Sequence, residues 1–596
     1  MKMNRFPIRR RAALAVAAVG LAAWAAAPAQ VTGETRTGWL HVVWETHGVE
    51  NELVKVGLYL VDETGGATEL TATPEELAPH GGVLKLNGRR MTVTGDLATA
   101  REPRGTPTLR VRSLTPRQGP LPALVGAVEG PRAYVTLVCR FPDHPIELKG
   151  VETLRTWMGS AYPGMDHFWR ENSENRVNIE SAFAGPFVLP QPSAAYRVDG
   201  KTSLGALLQD CTRAADPTVD FSRYSGINIQ FNNDLWGASW GGGWTMSLDG
   251  QTRRWATTWM ANWATNATYA HEVGHSLGLP HSSGPYTAVY DSRWDVMSGG
   301  GSNDAAVGTR VPTHTIAFHK DLLGWIPAGR RYVTGPGTSA TIDLVRDALP
   351  GAQGYQVAII PIGSSGNNFV TVEARRFAGY DAQGRLPGEA VVMHQVNMSD
   401  PESPARVVDP DRNGNPNDAG AMWVPGETWT DPTLGVSVRV ISATADGFRV
   451  EISTAGTIRI ATDSVLPGAT IGADYSAQLT TTGAGQGAAW ALLSGALPVG
   501  LTLSGTGQIT GVPGQAGVFR FGVRVTDSSG FGAKEMRIDV GRLHLAQEPV
   551  LEALLGNGTL TPEHQRYLDS LGNRNGRLDV GDLRAWLIDQ GMPTGG

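Results

Sequence analysis

The chain has 596 residues, enough for about four domains at ~150 residues each. Its formal charge of −6, with 18% charged residues, is ordinary and gives no electrostatic case for nucleic acid or anionic membranes as partners. Glycine (75) and proline (37) together make about a fifth of the chain, which fits a turn-rich, strand-heavy protein and is too little for disorder.

Residues 1–29 read as an export signal. MKMNRFPIRRR is the positive start, AALAVAAVGLAAWAA the apolar run, and Ala27-Pro28-Ala29 a small-residue cleavage site. The run is shorter than the ~20 residues a membrane span needs, so removal is expected rather than anchoring. Arg9-Arg10 allows a twin-arginine route. No later stretch is long and apolar enough to span a bilayer, so a secreted, extracellular protein is expected. Outside the cell cysteines can oxidise. Cys139 and Cys211 either form one disulfide or stay as two buried thiols, and sequence does not show whether they meet.

Residues 30–130 alternate apolar and polar in short runs (WLHVVWE, VKVGLYLVD, RMTVTG, LRVRSL), as strands of a small β domain do. This part is either a resident domain or a removed propeptide. YVTLVCRF (134–141) reads as a buried strand and opens a mixed region, 131–330. Helical patterns fall near 150–175 and 202–215, and the glycine-rich WGGGW occupies 240–244. From 331 to 455 the text is β again, through FVTVEARRF, EAVVMHQVN and VSVRVISA. Residues 456–541 are rich in Gly, Thr and Ser with short strands, as in a separate sandwich. Residues 546–592 read as two short helices around a polar loop.

HEVGHSLGLPH (271–281) concentrates the chemistry. On a helix, positions i and i+4 share a face, so His271 and His275 point the same way. Imidazole is the commonest zinc ligand, and two on one face make half of a tetrahedral site. Glu272 lies beside the first ligand, where a general base for an activated water belongs. Gly278 can adopt a positive φ, end the helix and bring His281 round as the third ligand. Three protein ligands leave one position open, the mark of a catalytic rather than structural zinc.

The motif resembles H-E-x-x-H-x-x-G-x-x-H of the metzincin metallopeptidases, and YDSRWDVMSGGGS (290–302) resembles their methionine-containing turn. By that resemblance Met297 forms an apolar floor beneath the metal. YPGMDHFWRENS (162–173), HEVGHSLGLPHSSG (271–284), RWDVMSGG (293–300) and HKDLLGWIP (319–327) resemble the secreted immune-inhibitor-A-like and gametolysin-like peptidases, over roughly 131–455. His281 places the chain nearer gametolysin, because the immune-inhibitor-A-like enzymes commonly carry an acid there. Several metzincins have a tyrosine two residues after the methionine, where this chain has Gly299. Tyr290 is the nearest tyrosine, with packing its expected role, and the oxyanion-stabilising group stays unassigned.

Two other loops suit oxygen-loving cations. VVDPDRNGNPNDAG (407–420) offers Asp409, Asp411, Asn413, Asn415 and Asp418, which suit a structural Ca²⁺ or equally a polar turn. LGNRNGRLDVGD (571–582) offers Asn573, Asn575, Asp579 and Asp582 around Gly576. Its terminal Asp resembles a dockerin repeat, but Leu571 stands at the first position, where Asp569 is the nearest substitute. The resemblance implies a cohesin-like or cell-surface partner. ALPVGLTLSGTGQITGVPGQAGVFRFGVRVTDSSG (496–530) resembles bacterial Ig-like repeats, with Trp490 in the core.

The expected architecture is multidomain. An α/β (α+β) metzincin-like domain is flanked by β-sandwich domains, with a small helical EF-hand-like or dockerin-like module at the C-terminus. The expected function is a secreted zinc endopeptidase acting on extracellular protein, with Glu272 as general base. Alternatives are a silent adhesion or scaffold protein and a zinc hydrolase of a non-peptide bond.

Overall fold

A computed structural model describes residues 31–47, 56–98, 104–117, 128–145, 149–286, 290–335, 338–351, 353–362, 366–382, 385–431, 434, 436–454, 458–485, 487–527, 530–573 and 575–590. The expected export signal, 1–29, lies outside those residues. The described chain is multidomain and strand-rich, with ten α-helices and several separate sheets. None of those helices is long and apolar enough to cross a membrane.

Five N-terminal strands come first: β1 (Val31–His47), β2 (Val56–Val61), β3 (Ala67–Thr71), β4 (Arg90–Ala98) and β5 (Thr108–Pro116). They run in the order β2-β3-β5-β4-β1, and β1 pairs with β2 as well, so the set closes on itself. The alternating apolar residues face inward: Leu40, Val42, Leu60, Met91, Val93, Leu109 and Val111 share one buried cluster.

β1 is long enough to continue past this unit. Its end, Val43–His47, pairs antiparallel with β9 (Ala238–Leu248), so five further strands join the same ten-stranded sheet. Those strands are β6 (Tyr134–Arg140), β7 (Ser181–Val188), β8 (Gly226–Phe231), β9 and β10 (Gln251–Met260). Their order continues β1-β9-β10-β8-β6-β7. The β10-β8-β6-β7 pairings are parallel, and β9 alone runs antiparallel to β10. Helices cover both faces of a parallel sheet. Accordingly Tyr134–Cys139 of β6 and all of β8 are buried.

Three helices of this region are α1 (Met165–Asn172), α2 (Leu204–Ala215) and α3 (Asn266–Leu277). The sequence patterns at 150–175 and 202–215 fall on α1, on a preceding helix Val151–Met158, and on α2. Cys139 of β6 and Cys211 of α2 form a disulfide with Cα atoms 6.2 Å apart, which closes the alternative left open by the sequence. Linking positions 72 residues apart contributes about 4 kcal/mol in the chain-entropy picture.

Residues 331–454 supply a four-stranded sheet and five strands of a six-stranded one, whose sixth strand is Ser282–Ser283, and the two sheets share a buried cluster including Leu344, Ile360, Val372, Val438 and Val450. Residues 469–541 build a four-stranded and a three-stranded sheet around Trp490, Ile509, Phe521 and Val523. Val550, Tyr567, Leu568 and Trp586 of the C-terminal helices join that same cluster. Those helices number three, not two: Gln547–Leu554, Pro562–Leu571 and Val580–Asp589. The expected first helix breaks because Gly556 takes a positive φ of 78°. A new helix then starts at Pro562, with Thr561 accepting from His564 N.

Candidate metal centre

Helix α3 begins with a capping box: Thr265 accepts from Thr268 N, and the Thr268 side chain accepts from Thr265 N. It ends at Gly278, whose φ of 108° is the left-handed cap expected from the sequence. The chain doubles back at once, as Leu279 N donates to Gly274 O. Strand β9 lies against this helix because of the glycine run. A Cβ on Gly241 would come within 2.3 Å of Glu272 O and 2.7 Å of the His275 Cβ.

The three histidines converge. His275 Nε2 is 2.9 Å from His271 Nε2 and 3.0 Å from His281 Nε2, and all three residues are buried. The outer nitrogens show why the inner ones are free. His271 Nδ1 donates to Val296 O at 2.7 Å, and His275 Nδ1 donates to Leu279 O at 2.7 Å. That tautomer turns both Nε2 lone pairs inward. Burial lowers the His271 pKa to about 4 and pushes His275 and His281 well below the usual imidazole range. Three neutral rings with facing lone pairs repel unless a cation lies between them. A tetrahedral ion with bonds of ~2.0–2.1 Å spaces its nitrogens roughly 3.3 Å apart, so the donor set fits zinc with a small expansion.

Glu272 is fully buried on the same helix, and neither carboxylate oxygen has a hydrogen-bond partner among the described residues. Burial raises its pKa well above the usual carboxylate range, offset in part by the nearby Thr46 hydroxyl. Beneath the cluster, Met297 is fully buried, and a Cβ on Gly274 would come within 2.4 Å of its sulfur. Asp295 shapes that turn: it accepts from Met297 N at 3.0 Å and from Ser282 Oγ at 2.6 Å, and pairs with His319 at 2.8 Å. Burial opposes its ionisation, but those partners hold the carboxyl below its usual range.

The sequence does not mark Trp44 as a neighbour of the cluster, and it gives Tyr290 only an expected packing role. Trp44 of β1 stacks on His275, with ring centroids 5.0 Å apart and planes 9° apart. Tyr290 stands edge-on to His271 and His281, with centroids 5.8 and 5.7 Å away. Its hydroxyl donates to Glu45 O of β1 at 3.4 Å. The local sequence carries no signal for Trp44, since its contact depends on how β1 pairs. The structure also explains Gly299: any Cβ there would lie 2.1 Å from Tyr290 O, so the tyrosine seen in several metzincins has no room.

The two acidic loops differ. Asp409, Asp411 and Asp418 bring carboxylate oxygens within 4.8 Å of one another. Asn413 Nδ2 and Asn415 Nδ2 both donate to Asp418 Oδ2, at 2.8 and 3.1 Å. In the C-terminal loop the carboxylates serve as caps instead. Asp582 accepts from Asn573 N and Asp579 N, and Asp569 accepts from Gly576 N. Asn573 and Asn575 donate to Asp579 Oδ2 at 2.8 and 2.7 Å.

Comparison with known proteins illuminates one part of the chain. Residues 457–540 match the family described as Putative Ig domain. No curated protein matches the chain. Among solved structures, a Bacteroides fragilis protein described as a putative alpha-galactosidase is 24% identical, over 14% of this chain and 18% of its own, with a TM-score of 0.13. An endo-fucoidan hydrolase of glycoside hydrolase family 107 is 12% identical, over 39% of this chain and 48% of its own, at 0.13. The N-terminal four Ig domains of Dscam1 are 11% identical, over 51% and 55%, at 0.12. The first of these matches spans under a fifth of the structure it meets, and scores this low place no fold on the whole chain. The region at 457–540 is an Ig-like domain within a multidomain, strand-rich protein.

Proposed function

We propose that the chain is an extracellular zinc endopeptidase of metzincin type, whose ligands are His271, His275 and His281 and whose general base is Glu272. One observation carries the reading: His275 Nε2 lies 2.9 and 3.0 Å from the Nε2 atoms of His271 and His281, all buried, beside a buried carboxylate with no hydrogen-bond partner among the described residues. A structural site would need no such carboxylate. Held by these nitrogens, zinc supplies Lewis acidity toward a carbonyl and acidifies water.

The residues around it divide the remaining work. Val296 O and Leu279 O fix the tautomers and angles of His271 and His275. Glu272 receives the proton of the attacking water and passes it to the departing amine. Its burial raises its proton affinity toward the range in which a carboxylate can do both. Met297, pressed against Gly274, keeps the ligand helix seated from below. Calcium at the acidic loops and a cohesin-like partner for the C-terminal helices are separate proposals, independent of the zinc chemistry.

A second reading has its own support. Glu272 and His275 are fully buried under β1, so in this conformation no peptide reaches them. A silent adhesion protein carrying an Ig-like domain would keep such a closed site permanently. An enzyme would open it by moving or losing the N-terminal unit.

The test compares casein hydrolysis by the purified protein before and after limited proteolysis, with a zinc chelator, and with Glu272→Ala. The peptidase reading expects cleavage in the untreated or nicked wild type alone. Hydrolysis by Glu272→Ala at the wild-type rate would remove its assigned role. A zinc-loaded wild type that stays inert after nicking would favour the adhesion reading.

A further inference from the structure

Outside the histidine cluster, one group of acidic side chains converges among the described residues: Asp409, Asp411 and Asp418. Clustered acids are common on surfaces, and Asp409 sets this group apart. It is 5% exposed. Its Oδ2 accepts from the Tyr286 hydroxyl at 2.6 Å, while its Oδ1 is buried with no hydrogen-bond partner among the described residues. That oxygen is aimed into the cluster. A Cβ built on Gly420 would lie 2.8 Å from Asp409 Oδ1 and 2.3 Å from Asp411 Oδ2, so both oxygens face one point. An unpaired buried anion beside two like charges is a costly arrangement. A cation between the carboxylates removes that cost.

We propose that the loop Asp409–Asp418 is a Ca²⁺ site that braces the chain between His281 and the Met297 turn. The donor set is all oxygen, the three carboxylates of Asp409, Asp411 and Asp418, while Asn413 Oδ1 and Asn415 Oδ1 accept from Asn415 N and Asn417 N and hold the loop in shape. Asp409, Asp411 and Asn413 alternate along the loop, and Gly414 follows with a φ of 93°, the turn a calcium loop needs at that point. With neither imidazole nor thiolate in it, the set favours a hard cation over zinc.

The bracing follows from what the loop holds. Strand Ala405–Val407, just before it, pairs in parallel with Ser282–Ser283, which adjoin His281. Asn417 Oδ1 accepts from Arg293 N at 2.7 Å, and its Nδ2 donates to Asp291 O at 2.6 Å. Trp294 Nε1 donates to Pro416 O at 3.0 Å. The Pro416 ring lies where a Cβ on Gly284 would be, 2.6 Å away. Tyr286, already bonded to Asp409, completes the grip. A rigid loop therefore means a rigid chain at 282–286 and 291–294. The C-terminal loop makes a control, because its Asp582 has both oxygens engaged by backbone N–H groups.

The experiment strips the full chain with EGTA and titrates it with Ca²⁺, and in parallel with Tb³⁺, whose emission Tyr286 and Trp294 are placed to sensitise. Wild type, Asp411→Asn and Asp579→Asn are compared. Asp411 is exposed, so its variant keeps the apo fold, which circular dichroism in EGTA verifies. The expected result is that Asp411→Asn loses one binding event, or at least about tenfold in its affinity, while Asp579→Asn keeps it. Ca²⁺ should also slow amide exchange at 282–286 and 291–294 in wild type and not in Asp411→Asn. Equal binding by wild type and Asp411→Asn, or no binding by wild type at millimolar Ca²⁺, overturns the site. Unchanged exchange at 282–286 and 291–294 overturns the bracing. Neither readout uses peptidase activity, so the outcome is independent of the zinc proposal.

Discussion

Trp44 lies flat on His275, centroids 5.0 Å apart, and thereby places a residue of the N-terminal unit against a proposed metal ligand. Val43–His47 reach that position by pairing with Ala238–Gly242, the strand nearest helix α3. The same strand holds the Tyr290 hydroxyl through Glu45 O and sets Thr46 beside Glu272. The cover is thus one strand, and loosening it should expose the site. Trp44→Ala is expected to cost about 3–5 kcal/mol of stability, as a buried tryptophan does. In zinc-loaded protein it should also speed transfer of the metal to a chromophoric chelator several-fold. Transfer at the wild-type rate would mean that β1 does not guard the cluster.

Facing lone pairs make the histidine cluster a poor resting state without a cation. Binding an ion only in the folded state stabilises by RT ln(1 + [L]/Kd), about 4 kcal/mol at a thousandfold excess over Kd. Adding zinc to chelator-stripped protein should therefore raise the unfolding temperature of the transition that includes α3, followed by calorimetry. His275→Ala removes the central ligand and should abolish that rise. A full rise in His275→Ala would place the zinc elsewhere.

Gly299 and Tyr290 are linked sterically, since a Cβ on one would touch the carbonyl of the other. Gly299→Ala, a change that stabilises by about 0.4–1 kcal/mol where there is room, should here destabilise, because backbone must shift. Tyr290 supplies the phenol nearest the cluster, and its hydroxyl is free for other duty once Glu45 withdraws. If it then steadies a developing oxyanion, Tyr290→Phe lowers kcat by about 10²-fold with KM little changed. A loss confined to KM, or none, returns Tyr290 to a packing role.

What was legible followed physical locality. His271, His275, Gly278 and His281 lie within eleven residues, and helix geometry plus one left-handed glycine suffices to bring them together. The alternation in 31–116 points to strands, and the largely apolar run 134–139, broken only by Thr136, points to a buried one. Pairing partners were not legible, because a strand's pattern fixes its faces and not its neighbour. Hence the sequence separates 30–130 from 131–330, while a single ten-stranded sheet runs through both. Trp44 comes to the cluster only through that pairing, 231 residues from His275 in sequence. The glycines of WGGGW are plain in the sequence, but their separate uses need the packing: Gly241 lets α3 lie against β9, Gly242 admits the backbone of β1, and Gly243 makes room for Arg254.

Glu171 ties helix α1 to the following region, and it does so through one oxygen. Its Oε1 accepts from His314 Nε2 at 2.8 Å and from Tyr380 N at 2.9 Å. Lys320 Nζ donates to His314 Nδ1 at 3.0 Å, which leaves the Nε2 proton for Glu171. Burial opposes ionisation of Glu171, but His314 and the Tyr380 amide hold its carboxyl below the usual range. A carboxyl with a depressed folded pKa binds fewer protons folded than unfolded, so its contribution is whole above the unfolded pKa near ~4.5 and fades as pH falls through the folded value. Glu171→Gln keeps an oxygen for both donors and removes only the charge. It should lower stability modestly at pH 7, by about 1–2 kcal/mol, and flatten the acid limb of a urea-midpoint against pH curve below pH ~5. An acid limb as steep as the wild type's would show that this contact contributes nothing to the loss of fold in acid.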